Sequence, residues 1–121
     1  MTTMRRLLPL SLLLLVAALP AAPAAAASRC SLSRAEKNGS LGATYVTKLT
    51  VSHTSCTNGK RVVRAFNACR KASGGAKGHC RRTVRGLRCS EVRNAIPTQF
   101  NSNATCRGGA VVVRFTYTQF T

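Results

Sequence analysis

Between Tyr45 and Ser52 the chain alternates. Tyr45, Thr47, Leu49 and Val51 share one side, and Val46, Lys48, Thr50 and Ser52 the other. A period of two is the signature of a strand. After Ser55 the period lengthens: Val62, Ala65, Phe66 and Cys69 group at helical spacing, with Lys60, Arg61, Arg64 and Lys71 opposite them. This predicts an amphipathic helix to about Lys71, capped by Thr54 or Ser55, with one buried stripe and one cationic face. Arg70 and Lys71 suit the negative end of its dipole, and the glycines at 74, 75 and 78 end it in a flexible loop.

The pattern then returns to period two. Cys80–Val84 and Gly86–Cys89 read as short strands, Ser90–Ile96 is ambiguous between strand and helical turn, and Pro97 breaks it. Gln99–Cys106 reads as a strand, Arg107-Gly108-Gly109 as a tight turn, and Ala110–Gln119 as the clearest strand of all. Two such runs joined by Gly-Gly predict a hairpin. Before Tyr45 the chain is polar and irregular, with Ser33 and Glu36 at capping-box spacing. The fold class expected is α+β, with one amphipathic helix packed on a small antiparallel sheet.

Residues 1–27 lack this patterning. Arg5 and Arg6 precede an apolar run from Leu7 to Leu19, followed by Pro20, Pro23 and the small residues Ala24–Ala27. These are the three parts of a secretory signal, with cleavage expected near Ala27. The division is therefore 1–27, signal peptide, and 28–121, one domain. That domain should be secreted, and no later stretch is apolar enough to span a bilayer.

Residues 28–121 hold all six cysteines, Cys30, Cys56, Cys69, Cys80, Cys89 and Cys106. An even count in a small exported domain predicts a disulfide framework, because so small a core is marginal without staples. Six cysteines allow 15 pairings. Local geometry favours Cys69–Cys80 across the glycine loop and Cys89–Cys106 between neighbouring strands, which leaves Cys30–Cys56. There is no Cys-x-x-Cys, and the spacings fit no zinc module, so neither a metal site nor a cofactor is expected.

The run Val51-Ser52-x-x-Ser55-Cys56, the amphipathic helix, Gly78-x-Cys80, Gly86-Leu87-x-Cys89, Thr105-Cys106-x-x-Gly109 and the closing Val-Val-x-Phe-x-Tyr strand resembles a group of small secreted, cysteine-bonded proteins of high-GC actinobacteria. The resemblance implies export and a disulfide-bonded α+β fold, and carries no functional residue.

Charge is the main functional clue. The chain has a formal net charge of +17, and 28–121 sets 17 Lys and Arg against Glu36 and Glu91, a net +15. A field this one-sided points to an anionic polymer or surface as partner, whether wall polymer, lipid headgroup or extracellular nucleic acid. Lys60, Arg61, Arg64 and Lys71 on the helix form the candidate patch, with Arg81, Arg85 and Arg88 joining it if the Cys69–Cys80 bridge forms. No helix-turn-helix, zinc-finger or RNP signature points to specific nucleic-acid reading, and with Phe66 and Phe115 on core faces the sequence gives little support to a stacking platform for single strands, for which Tyr117 and Phe120 are the remaining candidates.

Two other classes have sequence support. A disulfide-rigid module could bind a protein partner as a protease inhibitor or toxin, presenting the loops 73–79 and 90–99. His53, His79 and Glu91 could supply acid and base in a small secreted ribonuclease, although no motif places them together. No nucleophile elbow, metalloprotease motif or phosphate loop occurs, so no catalytic residue is assigned.

Overall fold

The computed structural model describes residues 15–18 and 26–121. The segment 1–27, expected to be a signal peptide, lies mostly outside the described residues. Five strands, β1 (Ser28–Arg29), β2 (Tyr45–Ser52), β3 (Arg88–Ile96), β4 (Gln99–Gly108) and β5 (Val111–Phe120), form one antiparallel sheet in the order β1-β2-β5-β4-β3. Among the described residues one α-helix, α1 (Cys56–Ala72), crosses a single face of it. The expected α+β class is what the chain adopts.

Helix α1 starts where its cap dictates. Ser55 is extended and its hydroxyl accepts from the Asn58 amide at 3.1 Å. Val62, Val63, Phe66, Cys69 and Arg70 are buried, a stripe shifted from the expected one: Ala65 lies at its margin and Arg70 inside it. Phe66 meets Phe115 and Tyr117 of β5 edge-on, at centroid separations of 5.2 and 6.0 Å. Leu49, Val51, Val113, Phe100 and Ala104 complete the core between helix and sheet. Gly59 allows the helix to lie this close, since a Cβ there would stand 2.6 Å from Val51 Cγ1.

The sheet departs from strict alternation at one point. The β2–β5 register shifts between Val46 and Lys48, so Val46 faces the core with Leu49 and Val51, while Tyr45, Lys48 and Thr50 face away. The extra residue, Thr47, is a bulge that flips the side of everything before it. Ser90–Ile96 is strand throughout: β3 and β4 form a hairpin about Pro97-Thr98, so the expected 90–99 loop does not exist. Cys80–Val84 is not a strand; that segment contributes one isolated bridge, Val84 to Leu87. The β4–β5 turn falls at Gly109-Ala110, two residues beyond its predicted start at Arg107, with Gly109 at φ +57°.

The disulfides are Cys30–Cys56, Cys69–Cys80 and Cys89–Cys106. The first ties the N-terminal segment to the start of α1, the second ties the end of α1 to the loop before β3, and the third joins directly opposed residues of β3 and β4. Among the described residues no helix is long and apolar enough to cross a membrane.

The N-terminal segment is anchored through a capping box. The Ser33 amide donates to Glu36 Oε1 at 2.8 Å, the Glu36 amide donates to Ser33 Oγ at 3.1 Å, and Lys60 of α1 reaches the same Oε1 at 3.0 Å. The Ser33 amide, then Lys60, hold the Glu36 carboxyl below the usual carboxylate range.

Two predictions follow the packing. Replacing Cys69 and Cys80 together by Ala lowers unfolding free energy in urea by about 2–5 kcal/mol, the usual cost of losing a bridge in so small a domain. Because the folded pKa of Glu36 is depressed, its contribution is full above the unfolded carboxylate pKa and is lost as pH falls through the folded value. The stability gap between the native chain and Glu36→Gln therefore narrows on acidification, as urea midpoints across the acid range will show.

Candidate functional site

With two carboxylates in the whole domain, where they go decides which cations remain free. Glu36 is taken by Ser33 and Lys60. Glu91 points from β3 into the helix side of the sheet. Its Oε2 accepts from Ser102 at 2.8 Å and from the Tyr117 hydroxyl, and its Oε1 lies 2.6 Å from Arg93 Nη2. Burial first, then the bond to Glu91, push the Tyr117 hydroxyl up to about 12. Arg93 also donates to the carbonyls of Lys77 and Gly78 and lies over Phe100, its guanidinium carbon 4.1 Å from the ring centroid.

Arg70 stands in the last turn of α1, where it suits the helix dipole, but it is fully buried. Its nitrogens reach Asn67 Oδ1 at 2.7 Å, the Ala76 carbonyl at 2.9 Å and Gln119 Oε1 at 2.6 Å, and its guanidinium carbon stands 4.8 Å from the Tyr117 ring centroid. Burial pulls its pKa below the ordinary arginine value. Helical periodicity cannot foretell a buried arginine, because two of its three acceptors lie off the helix, in loop 74–78 and on β5. Gly78 is required there: a Cβ would fall 1.8 Å from the Arg70 carbonyl oxygen.

The remaining cations face water without a carboxylate. Of the 17 Lys and Arg in 28–121, Lys60 and Arg93 are ion-paired and Arg70 is buried. The helix patch is thereby weakened. Lys60 is neutralised by Glu36, Arg64 leans on the Ser40 carbonyl at 3.4 Å, and Arg61 and Lys71 stay exposed. Burial, then the nearby Arg70 charge, lower the Lys71 pKa. The Cys69–Cys80 bridge forms and ties the arginine loop to the end of α1 that carries Lys71, on a different side of the helix from Lys60 and Arg64. At about 100° per residue, Cys69 is about 180° around the helix from Lys60 and about 140° from Arg64. Lys60 and Arg64 face the 36–40 segment on the β2 side, and Cys80 leads away toward β3.

The strongest cationic cluster is therefore the loop itself. Between Cys80 and Cys89 stand Arg81, Arg82, Arg85 and Arg88, all exposed. Val84 and Leu87 are buried beneath it and exchange both backbone hydrogen bonds, at 2.8 and 2.9 Å, around Arg85-Gly86, whose φ values are +50° and +79°. The loop is thus a tight turn clamped at each end by a disulfide, to α1 on one side and β4 on the other. Arg107 of β4 lies directly opposite Arg88. Like charges directly opposed destabilise a sheet, so this pair carries a cost, borne next to the Cys89–Cys106 disulfide that joins the neighbouring positions. Arg107 was missed from sequence because its place beside Arg88 depends on strand register. A recess of about 360 Å³ opens among Arg81, Arg82, Thr83, Arg88 and the two cysteines.

The residues considered for catalysis are not brought together. His53 follows β2 and His79 precedes β3, strands three spacings or about 14 Å apart in the sheet. His79 Nδ1 is 3.6 Å from Glu91 Oε1, but that carboxylate is already held by Arg93, Ser102 and Tyr117. All six cysteines are oxidised, which leaves no thiolate for a metal. Tyr117 is buried and cannot stack, whereas Phe120 is half-exposed against Tyr45.

Compared with known protein families, curated proteins and solved structures, the chain matches none.

The Tyr117 hydroxyl supplies a prediction. Its raised folded pKa means that its contribution is full below the unfolded value of 10.0 and is lost as pH rises toward about 12. Tyr117→Phe removes that alkaline limb, so its urea midpoint changes less than the native one across this window.

Proposed function

We propose that the protein is exported and binds anionic polymers without catalysing their conversion, and that the arginine loop 81–88 with Arg107 is the main contact. The observation that carries this reading is the loop's construction. Four exposed arginines stand within eight residues, a disulfide closes each end, and none of the four is ion-paired to Glu36 or Glu91. Clamping holds these charges close together against their own repulsion, so the ordering cost is met before a ligand arrives. Guanidinium groups accept phosphate, sulfate or carboxylate oxygens in bidentate fashion, which suits a polymer better than diffuse counter-ions. The unpaired surface charge elsewhere steers polyanions toward the domain and is screened within a Debye length. The helix residues Lys60, Arg61, Arg64 and Lys71 belong to that wider field.

Binding to long-chain inorganic polyphosphate across a salt titration tests the assignment. Arg81→Gln, Arg82→Gln and Arg85→Gln together should flatten the slope of log affinity against log salt by about two, since each phosphate contact to a single-stranded polyanion contributes about 0.7. Lys60→Gln with Arg64→Gln should leave the slope nearly unchanged. Equal losses from both sets would mean that net charge, not the loop, governs binding.

A further inference from the structure

The sheet has two faces and α1 covers one. On the other, among the described residues, nothing packs. Strand register orders the side chains of that face into rows. Ser52, Val112, Arg107 and Arg88 form the first, Arg29, Thr50, Arg114, Thr105 and Ser90 the second, Lys48, Thr116, Asn103 and Val92 the third, and Tyr45, Thr118, Asn101 and Asn94 the fourth. Phe120 lies beyond the last row and meets Tyr45 edge-on at 5.5 Å, both rings partly exposed.

Three features of this face point to a ligand. It carries no carboxylate, although Lys48, Arg114, Arg107 and Arg88 all lie on it. Those cations fall on a diagonal: Lys48 on β2, Arg114 one row down on β5, Arg107 another row down on β4, then Arg88 beside it on β3. With rows about 6.8 Å and strands about 4.8 Å apart, Lys48, Arg114 and Arg107 follow each other at about 8 Å. The third feature is the middle of the face. Thr116 and Thr118 donate to the Asn103 and Asn101 carbonyl oxygens at 2.8 and 2.7 Å, which leaves both Asn amide groups as donors toward water. Lys48, Thr50, Asn103, Thr105, Arg114 and Thr116 surround a shallow depression of about 250 Å³ there.

We infer that this open face is a second binding surface and that its occupant is a single-stranded nucleic acid. The inference rests on the polyanion reading above and extends it to a polymer class. A single strand carries one charge per residue along a flexible backbone, which a line of cations about 8 Å apart can follow. It also carries flat bases, for which the exposed Tyr45–Phe120 pair offers a ring, and base edges that the Asn101 and Asn103 amides can meet. Cationic tracks with aromatic stacking groups on an uncovered sheet are the general means of holding single strands. The diagonal ends at Arg88, where the arginine loop begins, so one strand could engage both surfaces. A sulfated glycan would use the cations and leave the ring without a base.

The chain lacks Trp, and its two tyrosines are Tyr45, partly exposed, and Tyr117, buried. Quenching of tyrosine fluorescence by a stacked base therefore reports on Tyr45. The experiment titrates the oxidised protein with a short oligothymidylate and, separately, with heparin of matched charge, at 0.15 M salt. The oligothymidylate should bind more tightly than heparin and quench tyrosine emission. Tyr45→Leu should abolish the quenching and weaken binding by about five- to 150-fold, the range for losing one stacked base. Lys48→Gln with Arg114→Gln should weaken binding while Lys48→Arg with Arg114→Lys restores it. Binding without quenching, unaffected by the face variants but lost in the triple loop variant, overturns this inference and leaves the loop reading in place. Binding of neither polymer overturns both.

Discussion

Two carboxylates have to serve seventeen cations, and where they are placed shapes the rest of the domain. Both are engaged within the fold. Glu36 closes a capping box and draws Lys60 onto the N-terminal segment. Glu91 ties β3 to β4 and β5 through Ser102 and Tyr117, and fixes Arg93, whose guanidinium in turn holds the Lys77 and Gly78 carbonyls. Loss of a buried carboxylate from such a network is costly, because its partners are left desolvated and unpaired. Neither acid is available to balance the surface, which is why the exposed charge is nearly all of one sign.

Self-repulsion on that scale works against a compact state. The apolar core is small, and the three disulfides supply what it lacks by restricting the unfolded chain. Their positions matter as much as their number. Two of them bracket the segment with the highest arginine density, so the linkage that offsets repulsion also orders the loop. Stability and the proposed binding function thus draw on the same covalent frame.

Much of this was legible in the residues. The period change at Ser55, the Gly-Gly hairpin and the alternating closing strand give the class and most element bounds. The short separations of Cys69 from Cys80 and Cys89 from Cys106 favour the pairing observed. What periodicity could not reveal depends on partners distant in sequence. Arg70 reads as a solvent-facing helix end until Gln119 and the Ala76 carbonyl are brought to it. The bulge at Thr47 reverses the faces of Tyr45 and Val46, and so decides that Tyr45 joins Phe120 outside the core. The candidate site was half legible: the arginines of 81–88 stand out by density, but their separation from Lys60 and Arg64 follows from which side of α1 Cys69 occupies. Arg107 enters only through strand register.

Backbone amide chemical-shift mapping of the oxidised domain with a short polyanion, at physiological salt, tests the central claim most directly. The account predicts that the largest shifts fall within 81–88 and at Arg107, with a second set along Lys48, Arg114 and Tyr45 if the polyanion is a single strand. Shifts spread evenly over all exposed cations, or concentrated on Lys60, Arg61 and Arg64, would contradict it.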